Sequence, residues 1–244
     1  MDDVTVAGEA ARAAAAVLLE LRGGKMTGGA LGDAGDAAAQ EAILAVLSEE
    51  RPDDAVFSEE AVDDRRRLTA DRVWIVDPLD GTREYGDGRH DWAVHVALWA
   101  GGELAAAAVA LPALGEILLT DPAVPVPPAV PAARPRIAVS RTRPPAEADA
   151  VAAALDGDLV PLGSAGYKTV AVARGEVDAY VHAGGMYQWD SAAPVAVARA
   201  AGLTTCRLDG TPLVYNDPDP WLPDLVVCRP ELAEPILAAV RSSS

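Results

Sequence analysis

The stretch WIVDPLDGTREY, residues 74–85, constrains the fold of this chain more than any other part of it. An apolar run typical of a buried strand leads directly into Asp77 and Asp80, although aspartate is depleted in strands and is rarely buried without a partner or a metal ion. Pro78 cannot extend a hydrogen-bonded ladder, so we expect the sheet to stop there. Ends of strands carry ligand sites in many α/β proteins. The segment therefore predicts a site at a sheet edge.

Helical and strand patterns alternate on both sides of this segment. Residues 7–21 predict a helix, and the glycine-rich residues 25–35 predict a mobile loop. A second helix is predicted to begin at Asp36, as its N-cap, and to end at Glu50. The strands predicted in this half are 54–58, 73–76, 92–99 and 103–112. The first of them has Glu59 and Glu60 at its exit, and a hairpin at Gly101-Gly102 joins the last two.

A proline-rich segment, residues 122–136, predicts an extended connector. It would divide the chain into an N-terminal α/β half, residues 1–121, and a C-terminal α/β half, residues 137–244. The patterns of the second half predict strands at 136–140, 159–162 and 178–182, and helices at 146–155, 166–176, 190–202 and 231–241. Further short strands are expected between the last two helices. This alternation predicts a layered α/β architecture.

Composition narrows the functional classes. The net charge of −17 argues against a nucleic-acid surface, which needs a basic footprint, but allows a small anionic substrate. The absence of a signal-like start and of a long apolar stretch predicts a soluble protein. Cys206 and Cys228 are too few for a disulfide framework, so we expect a reducing cytoplasm. His90, His95 and His182 lack zinc-type spacing, which favours a site built on oxygen ligands.

Acidic side chains recur at the predicted ends of elements. They are Asp36, Glu59, the pair Asp77 and Asp80, and Asp190. Gly81 would let the backbone approach a ligand, and a helical turn that begins at Gly81-Thr82 would favour an anion such as phosphate. Carboxylates and a phosphate repel each other unless divalent cations lie between them. Magnesium uses carboxylates together with substrate phosphate, and two such ions can clamp a phosphoryl transfer.

Two other interpretations of the motif are possible. An EF-hand loop that begins at Asp77 needs an oxygen ligand at its third position and a glutamate at its twelfth, but these positions are Leu79 and Gly88. The remaining alternative is a plain turn or cap, since Asp-Gly pairs are common in hairpins. The acidic residues upstream and far downstream favour a ligand site over a turn.

Three motifs resemble those of the inositol monophosphatase superfamily of metal-dependent, lithium-sensitive phosphatases: SEE at 58–60, DPLDGTREY at 77–85 and WDSAAP at 189–194. The REY after DGT and the segment GSAGYK at 163–168 are similar to the 3′(2′),5′-bisphosphate nucleotidase branch, and the stretches AVFSEE, DRVWIVDPLDGTRE, DWAVHVALW and DAYVHAGG resemble its actinobacterial CysQ type. The resemblance covers nearly the whole chain. It implies an αβαβα sandwich of the inositol monophosphatase/fructose-1,6-bisphosphatase type.

The resemblance also implies a cofactor and residue roles. It implies two or three Mg²⁺ ions, of which Glu59, Asp77 and the Leu79 carbonyl would hold one, and Asp77, Asp80 and Asp190 a second. Asp36, Thr82 and Glu59 would be catalytic, with Asp36 and Thr82 activating the attacking water. Asp33 is a rival for the role of Asp36. The residues expected to contact substrate are Gly81, Thr82, Arg83, Ser164, Lys168 and Asp190.

Several positions keep a second interpretation. Glu60 is expected to support the site or lie on the surface rather than to bind metal. Arg83 and Glu84 are also compatible with an exposed ion pair, and Lys168 with a solvated helix face. His182 could approach a second phosphate, but a packed role is expected.

The sequence thus predicts a cytoplasmic, homodimeric, Mg²⁺-dependent phosphatase for a small phosphorylated metabolite. The expected substrate is adenosine 3′,5′-bisphosphate (PAP), cleaved to AMP and phosphate in sulfate assimilation, with PAPS as a second substrate. The alternatives are inositol-1-phosphate or fructose-1,6-bisphosphate as substrate, and a non-catalytic metal- or nucleotide-binding scaffold. No nucleic-acid or membrane partner is expected.

Overall fold

The computed structural model describes residues 1–128 and 134–243. Within them the α-helices are α1 (Asp3–Arg22), α2 (Gly28–Glu50), α3 (Thr82–Gly86), α4 (Ala146–Leu155), α5 (Ala165–Ala173), α6 (Gln188–Ala200) and α7 (Ala233–Ser243). The strands are β1 (Ala55–Ser58), β2 (Arg72–Asp80), β3 (Ala93–Ala100), β4 (Glu103–Leu111), β5 (Glu116–Leu119), β6 (Arg136–Ser140), β7 (Asp158–Leu162), β8 (Ala179–Tyr187), β9 (Thr204–Cys206) and β10 (Trp221–Cys228). None of these helices combines the length and the apolar character needed to cross a membrane.

The strands form two sheets that stack with helices in five layers. The first sheet has the order β1-β2-β3-β4-β5 and the second β7-β6-β8-β10-β9. Helices α1 and α2 cover the outer face of the first sheet, α5 and α6 lie between the sheets, and α4 and α7 cover the outer face of the second. Each layer buries one apolar face against its neighbour, which is how such stacks are stabilised. The predicted αβαβα sandwich is confirmed.

Helix α2 begins eight residues before the predicted start, at Gly28 rather than Asp36. The predicted mobile loop at 28–35 and the N-cap role of Asp36 are therefore wrong. The glycines serve close packing instead: a Cβ at Gly32 would lie 2.6 Å from Thr82 Cγ2, and one at Gly35 would lie 2.9 Å from Tyr85 Cε1. Close contact with α3 offsets the usual cost of glycine in a helix, and it places Asp36 in mid-helix beside Thr82.

Strand β2 continues through Pro78 to Asp80, so the expectation that the sheet stops at the proline is wrong. Pairing with β1 ends at Ser58 and Val76, but β3 still pairs with both aspartates. The register between Asp77 and Asp80 is irregular, and Pro78 lies in that irregular stretch, where it interrupts no regular ladder. The irregularity brings both carboxylates to one end of the sheet.

The other predicted elements differ from the structure mainly in their bounds. The hairpin at Gly101-Gly102, β6 and α4 agree with the prediction. Helix α6 begins at Gln188, so Asp190 is its third residue rather than its first. Strands β9 and β10 lie where further short strands were expected, whereas β5 was not predicted.

The predicted connector lies partly outside the described residues, which omit 129–133. Its described flanks, 122–128 and 134–135, contain no helix or strand. The division into two halves at this segment stays a prediction.

Candidate metal and phosphate site

Asp77 lies at the centre of an acidic cluster and is completely buried. Its Oδ1 accepts a hydrogen bond from the Leu79 amide at 3.1 Å. Its Oδ2 is buried and has no hydrogen-bond partner among the residues that the structure describes. Burial raises the pKa of Asp77 well above its ordinary value, and the neighbouring carboxylates of Asp80, Glu59 and Asp190 raise it further. An anionic oxygen in this position needs a cation.

Asp80 is held by the first turn of α5. Its Oδ2 accepts hydrogen bonds from Ser164 Oγ at 2.5 Å and from the Gly166 amide at 2.5 Å. Its Oδ1 accepts one longer bond from the Ala165 amide, at 3.2 Å. Free amides at a helix N-terminus favour an anionic group. The second half of the chain therefore fixes the orientation of a carboxylate that belongs to the first.

Glu59 and Asp190 complete the cluster from two other elements. Glu59 follows β1 at the solvent edge, and Asp190 lies in the first turn of α6, where its Oδ2 accepts the Tyr187 amide at 2.6 Å. The pKa of each is raised to about 7, first by burial and then by the charge of Asp80. Four carboxyl groups from three segments thus converge where they cannot all ionise without added positive charge.

Asp36 contacts the same centre through Thr82. The Thr82 hydroxyl donates a hydrogen bond to the Leu79 carbonyl at 3.1 Å, and the same side chain opposes the rise in the pKa of the neighbouring Asp36 carboxyl. Burial raises the pKa of Asp36 to about 7. Asp33, the rival for this role, is exposed on the same helix. Of the two aspartates, the geometry places Asp36 beside Thr82.

These residues fit a divalent metal. The oxygens of Asp77, Asp80 and a nearby nitrogen of His95 lie within 4.8 Å of one another. The buried, unpartnered Oδ2 of Asp77 is the observation that most directly indicates a cation. Carboxylate oxygens are the ligands that hard divalent ions prefer.

His95 is a member of the cluster that the sequence patterns missed. It lies on β3 opposite Asp77 and is completely buried. Its Nδ1 lies 3.1 Å from the Trp189 carbonyl, and its Nε2 lies 3.3 Å from Asp80 Oδ2. The spacing of the histidines in the sequence did not reveal His95, because the histidine and the carboxylates meet through strand pairing rather than through sequence proximity. The alternation of WAVHVALW does place residue 95 on the face opposite to Val94 and Val96.

A cleft of about 290 Å³ extends from Asp80 and Asp190 toward a basic end. The cationic side chains that line it are Arg83, Arg141, Arg143 and Lys168. The sequence patterns did not single out Arg141 or Arg143, which lie in the loop after β6. The cleft therefore joins an acidic centre to a group of cations, although the whole chain is strongly acidic.

Lys168 is only 4% exposed, so the interpretation of a solvated helix face is wrong. Its Nζ donates to the carbonyls of Gly163 and Ser164, at 3.2 and 2.5 Å. Burial lowers the pKa of Lys168 to about 8, while the charges of Asp80, Glu84 and Asp91 oppose that effect. Nζ lines the cleft as a largely desolvated cation.

Glu84 does not form the ion pair considered with Arg83. It lies 3.3 Å from Arg141 Nη1, while Nη2 of that arginine contacts the buried Asp91. Asp91 Oδ2 also accepts the Gly163 amide at 2.6 Å, and Arg141 and this amide keep the pKa of Asp91 below its ordinary value despite burial. Arg83 is exposed at the cleft.

The remaining predicted contacts have defined surroundings. Gly81 has φ of +92°, a conformation that suits glycine, and a Cβ there would lie 3.2 Å from Trp92 Cβ. The Ser164 hydroxyl donates to Asp80 and accepts from the Tyr167 amide, so its bonds point inward. His182 bonds Tyr180 and the Gly185 carbonyl, in agreement with a packed role. Glu60 is exposed.

The comparisons with known proteins agree on one family. Residues 2–244 match the model of the inositol monophosphatase family. A Mycobacterium leprae (strain TN) protein named 3′-phosphoadenosine 5′-phosphate phosphatase is 50% identical over 256 residues, which cover 99% of this chain and 94% of that one. The Mycobacterium tuberculosis (strain CDC 1551 / Oshkosh) protein of the same name is 53% identical over 219 residues, covering 86% and 82%. The crystal structure of CysQ from Bacteroides thetaiotaomicron has a TM-score of 0.82 at 26% identity and covers 93% and 97%.

Proposed function

The chain belongs to the inositol monophosphatase family, and from that premise we propose that it removes the 3′-phosphate of PAP to give AMP and phosphate. The names of the mycobacterial relatives support the substrate. The observation that carries the proposal is the cleft itself, which joins the carboxylate cluster to four cationic side chains. A bisphosphate offers one phosphate to each end, whereas a monophosphate at the acidic end would leave the exposed Arg83 and Arg143 without a phosphate to bind.

We propose Mg²⁺ as the cofactor, with two or three ions bound. Glu59, Asp77 and the Leu79 carbonyl would hold one ion, and Asp77, Asp80 and Asp190 a second. Bound divalent ions supply charge neutralisation and an acidified water at such a centre. The buried oxygen of Asp77 and the raised pKa of Glu59 and Asp190 support this set.

Asp36 and Thr82 are proposed to handle the proton of the attacking water. Thr82 lies beside the Asp36 carboxyl, whose pKa of about 7 suits a group that accepts and returns a proton near neutral pH. Glu59 would help to orient the same water from the other side of the cluster. The amides of Gly81 and Thr82 would hold the phosphate to be cleaved.

The second phosphate and the nucleoside are proposed to lie toward the basic end. Arg83 and Arg143 are exposed there and lie in different halves of the chain, and Lys168 lies deeper. The diphosphate-like 5′ group of PAPS offers comparable negative charge, so PAPS is a second proposed substrate. The cytoplasmic location and the homodimer expected from the sequence stay predictions.

Phosphate release measured side by side on PAP, PAPS, inositol-1-phosphate and fructose-1,6-bisphosphate tests the proposal. With Mg²⁺ present, PAP should give the highest kcat/KM, and excess chelator should abolish release from every substrate. A preference for inositol-1-phosphate would contradict the proposed substrate and assign the chain to the inositol phosphatases. Release in chelator would contradict the metal-dependent chemistry, and no release from any substrate with metal would favour a non-catalytic scaffold.

A further inference from the structure

Arg67 is almost fully buried, with only 1% of its surface exposed, although an arginine is rarely buried without partners. Its Nε and Nη2 donate to Oδ2 of Asp63 on the same loop, at 3.0 and 2.9 Å. Its Nη1 donates to Oδ1 of Asn216 and to the Asp217 carbonyl, both at 3.0 Å. The last two residues belong to the loop between β9 and β10, 149 and 150 residues further along the chain. Arg67 therefore ties two distant segments together.

The loop that Arg67 binds is fixed in turn to the start of α6. Asn216 donates from its Nδ2 back to the Arg67 carbonyl at 3.1 Å. Gln188, the first residue of α6, is completely buried; its Oε1 accepts the Asn216 amide at 2.7 Å, and its Nε2 donates to the Asp219 carbonyl at 2.8 Å. Asp190 lies two residues beyond Gln188, in the same turn of the helix. One hydrogen-bonded path thus leads from Arg67 to the turn that carries Asp190.

The same guanidinium packs on the strand that precedes Glu59. The Cζ atom of Arg67 lies 3.9 Å from the centre of the Phe57 ring, within the range of a cation–π contact. Phe57 is buried on β1, two residues before Glu59, and its ring meets the Trp189 ring at 5.1 Å in an edge-on arrangement. Trp189 directly precedes Asp190 in α6. Arg67 therefore contacts or supports both segments that carry these two carboxylates.

The carboxylates of Glu59 and Asp190 repel each other unless a cation lies between them. Burial and the charge of Asp80 raise the pKa of Asp190 most, and the charge of Glu59 raises it further. Residues 60–66, which follow Glu59, are all exposed, so this stretch provides little support of its own. The chain is next buried at Arg67. The contacts of Arg67 are therefore placed to oppose the separation of the two carboxylates.

We propose that Arg67 is a positioning residue for the metal site, which holds the Glu59 and Asp190 carboxylates together before a metal ion binds. The inference rests on the proposed metal-dependent function. Ligands that are already in place bind more tightly than ligands that must be ordered on binding. Contacts that orient metal ligands without touching the metal typically contribute about 10–100-fold to metal affinity. Arg67 would thus act on metal affinity through the two carboxylates and not on the substrate.

Two variants test this role by calorimetry of Mn²⁺ binding. Arg67→Lys keeps the positive charge but loses the planar fork that bonds both loops, and it should bind Mn²⁺ about 10–100-fold more weakly than the wild type. Asn216→Gly leaves Arg67 intact and removes both side-chain bonds between the loops, and glycine suits the φ of +59° at this position. Its loss of Mn²⁺ affinity should be smaller, because Arg67 keeps its bond to the Asp217 carbonyl.

Mg²⁺ titrations of phosphate release from PAP give a second readout. All proposed carboxylate ligands remain in both variants, so a higher Mg²⁺ concentration should restore activity. The Mg²⁺ concentration at half-maximal activity should rise by about the factor seen in calorimetry, while kcat at saturating Mg²⁺ and the KM for PAP stay near the wild-type values. A general loss of folded protein would lower kcat without moving the Mg²⁺ dependence, so this readout separates positioning from mere stability.

Arg229→Lys is the matched control. Arg229 is also a buried arginine, and it binds the Asp178 carboxylate and the Pro127 carbonyl away from the cleft. Its substitution should lower the Tm about as much as Arg67→Lys does. The Mn²⁺ affinity of Arg229→Lys should equal that of the wild type, because its contacts do not lead to Glu59 or Asp190.

The outcomes separate this inference from the proposed function. If Arg67→Lys folds and binds Mn²⁺ as tightly as the wild type, Arg67 does not position the site, although the carboxylate site stands. The same conclusion follows if Arg229→Lys loses as much Mn²⁺ affinity, because the loss then reflects destabilisation alone. If circular dichroism shows that Arg67→Lys does not fold, Asn216→Gly decides, and an unchanged Mn²⁺ affinity overturns the inference. If the wild type binds no Mn²⁺, the proposed function itself fails, and this inference with it.

Discussion

The two ends of the cleft treat charge in opposite ways. At the acidic end, Asp77 is buried with an unpartnered oxygen, and its pKa and that of Asp190 are raised. At the basic end, Arg141 lies between two carboxylates, and its contact with Asp91 keeps the pKa of that carboxyl low. At the basic end the charge of Arg141 is thus compensated within the protein, whereas at the acidic end the charge of Asp77 is not.

This difference indicates which end depends on a ligand. The contacts of Arg141 and Asp91 form when the chain folds, and they fix the turn at Gly163 and Ser164 that holds Asp80. By the proposed function, the acidic end would gain its compensating charge from bound cations. Sites of this kind reduce the stability of the metal-free fold in return for function. Substitutions at the two kinds of carboxylate should therefore have opposite effects.

The largest effect is expected from Asp77→Asn. The change removes the charge shared by the proposed ions, so phosphate release should fall below detection in a coupled assay. The Tm of the metal-free protein should rise or stay equal, because a buried charge with like-charged neighbours is lost.

Asp178→Asn is the matched control for that experiment. Asp178 is a partly buried carboxylate outside the cleft, bonded by Arg136 and Arg229, which lower its pKa. Its loss should destabilise the fold by about 1.5–3 kcal/mol, the usual range for hydrogen bonds to charged groups, without changing kcat. If both variants lower the metal-free Tm equally, the contrast between compensated and uncompensated carboxylates is wrong.

Thr82→Ala should lower kcat by about 10²–10⁴-fold, the usual contribution of a positioned acid–base group. Metal affinity should change little, because the hydroxyl donates to the Leu79 carbonyl and the substitution removes none of the proposed carboxylate ligands. Steady-state kinetics and Mn²⁺ calorimetry on the same preparation separate the two effects.

Two aspartates of α2 provide the comparison for Thr82. Asp36→Asn should reduce kcat much as Thr82→Ala does, and the exposed Asp33→Asn should leave it unchanged. A strong effect at Asp33 would reassign the proton acceptor. Wild-type rates in Thr82→Ala would show that metal alone activates the water.

The acidic end should also make the metal-free protein less stable as pH rises from about 4 to 7. Unfolded carboxyls lose their protons near pH 4, but those of Asp36, Glu59 and Asp190 keep them to about 7 in the folded state. The folded state therefore binds more protons across this window, so raising the pH favours unfolding. Carboxyls whose pKa is lowered in the folded state, such as Asp91, change the stability only at pH values below this window.

Thermal melts at pH 5, 6, 7 and 8, with and without Mg²⁺, measure this effect. The Tm without metal should decline up to about pH 7 and then level off, as expected from the pKa of about 7 for these groups. Stabilisation by Mg²⁺ should grow over the same range, because the metal binds the ionised carboxylates. A metal-free Tm that rises from pH 5 to 7 would show that the cluster is compensated by other charges.

The two ends also differ in how far the sequence predicts them. Asp77 and Asp80 interrupt an apolar strand, and that local conflict by itself indicates a functional site. The motifs around Glu59 and Asp190 point to the same centre. The glycines before Asp36 nevertheless led to the wrong prediction of a loop, because their packing against Thr82 and Tyr85 depends on a distant segment.

The basic end depends on contacts that no local pattern contains. Arg141 meets Glu84 and Asp91 across 57 and 50 residues of sequence. In a chain with 20 Lys and Arg residues, nothing in the sequence distinguishes Arg141 from an arginine on the surface. The burial of Lys168 could not be predicted either, because its helix pattern does not reveal that α5 lies between two sheets.

The smallest expected effect comes from the exposed arginines of the cleft, Arg83 and Arg143. If they receive the second phosphate, Arg143→Ala should raise the KM for PAP several-fold, up to about tenfold, with kcat nearly unchanged. A charge-assisted hydrogen bond contributes about 1.5–3 kcal/mol when well shielded and less in solvent. The effect should weaken as salt rises, because exposed charges are screened.

AMP as a product inhibitor should bind more weakly by a similar factor, whereas any residual hydrolysis of inositol-1-phosphate, which has no second phosphate, should not change. Arg241→Ala, an exposed arginine on α7, is the control for net charge alone. Equal losses for PAP and inositol-1-phosphate would place Arg143 at the reacting phosphate instead, and the two ends of the cleft would then serve one phosphate rather than two.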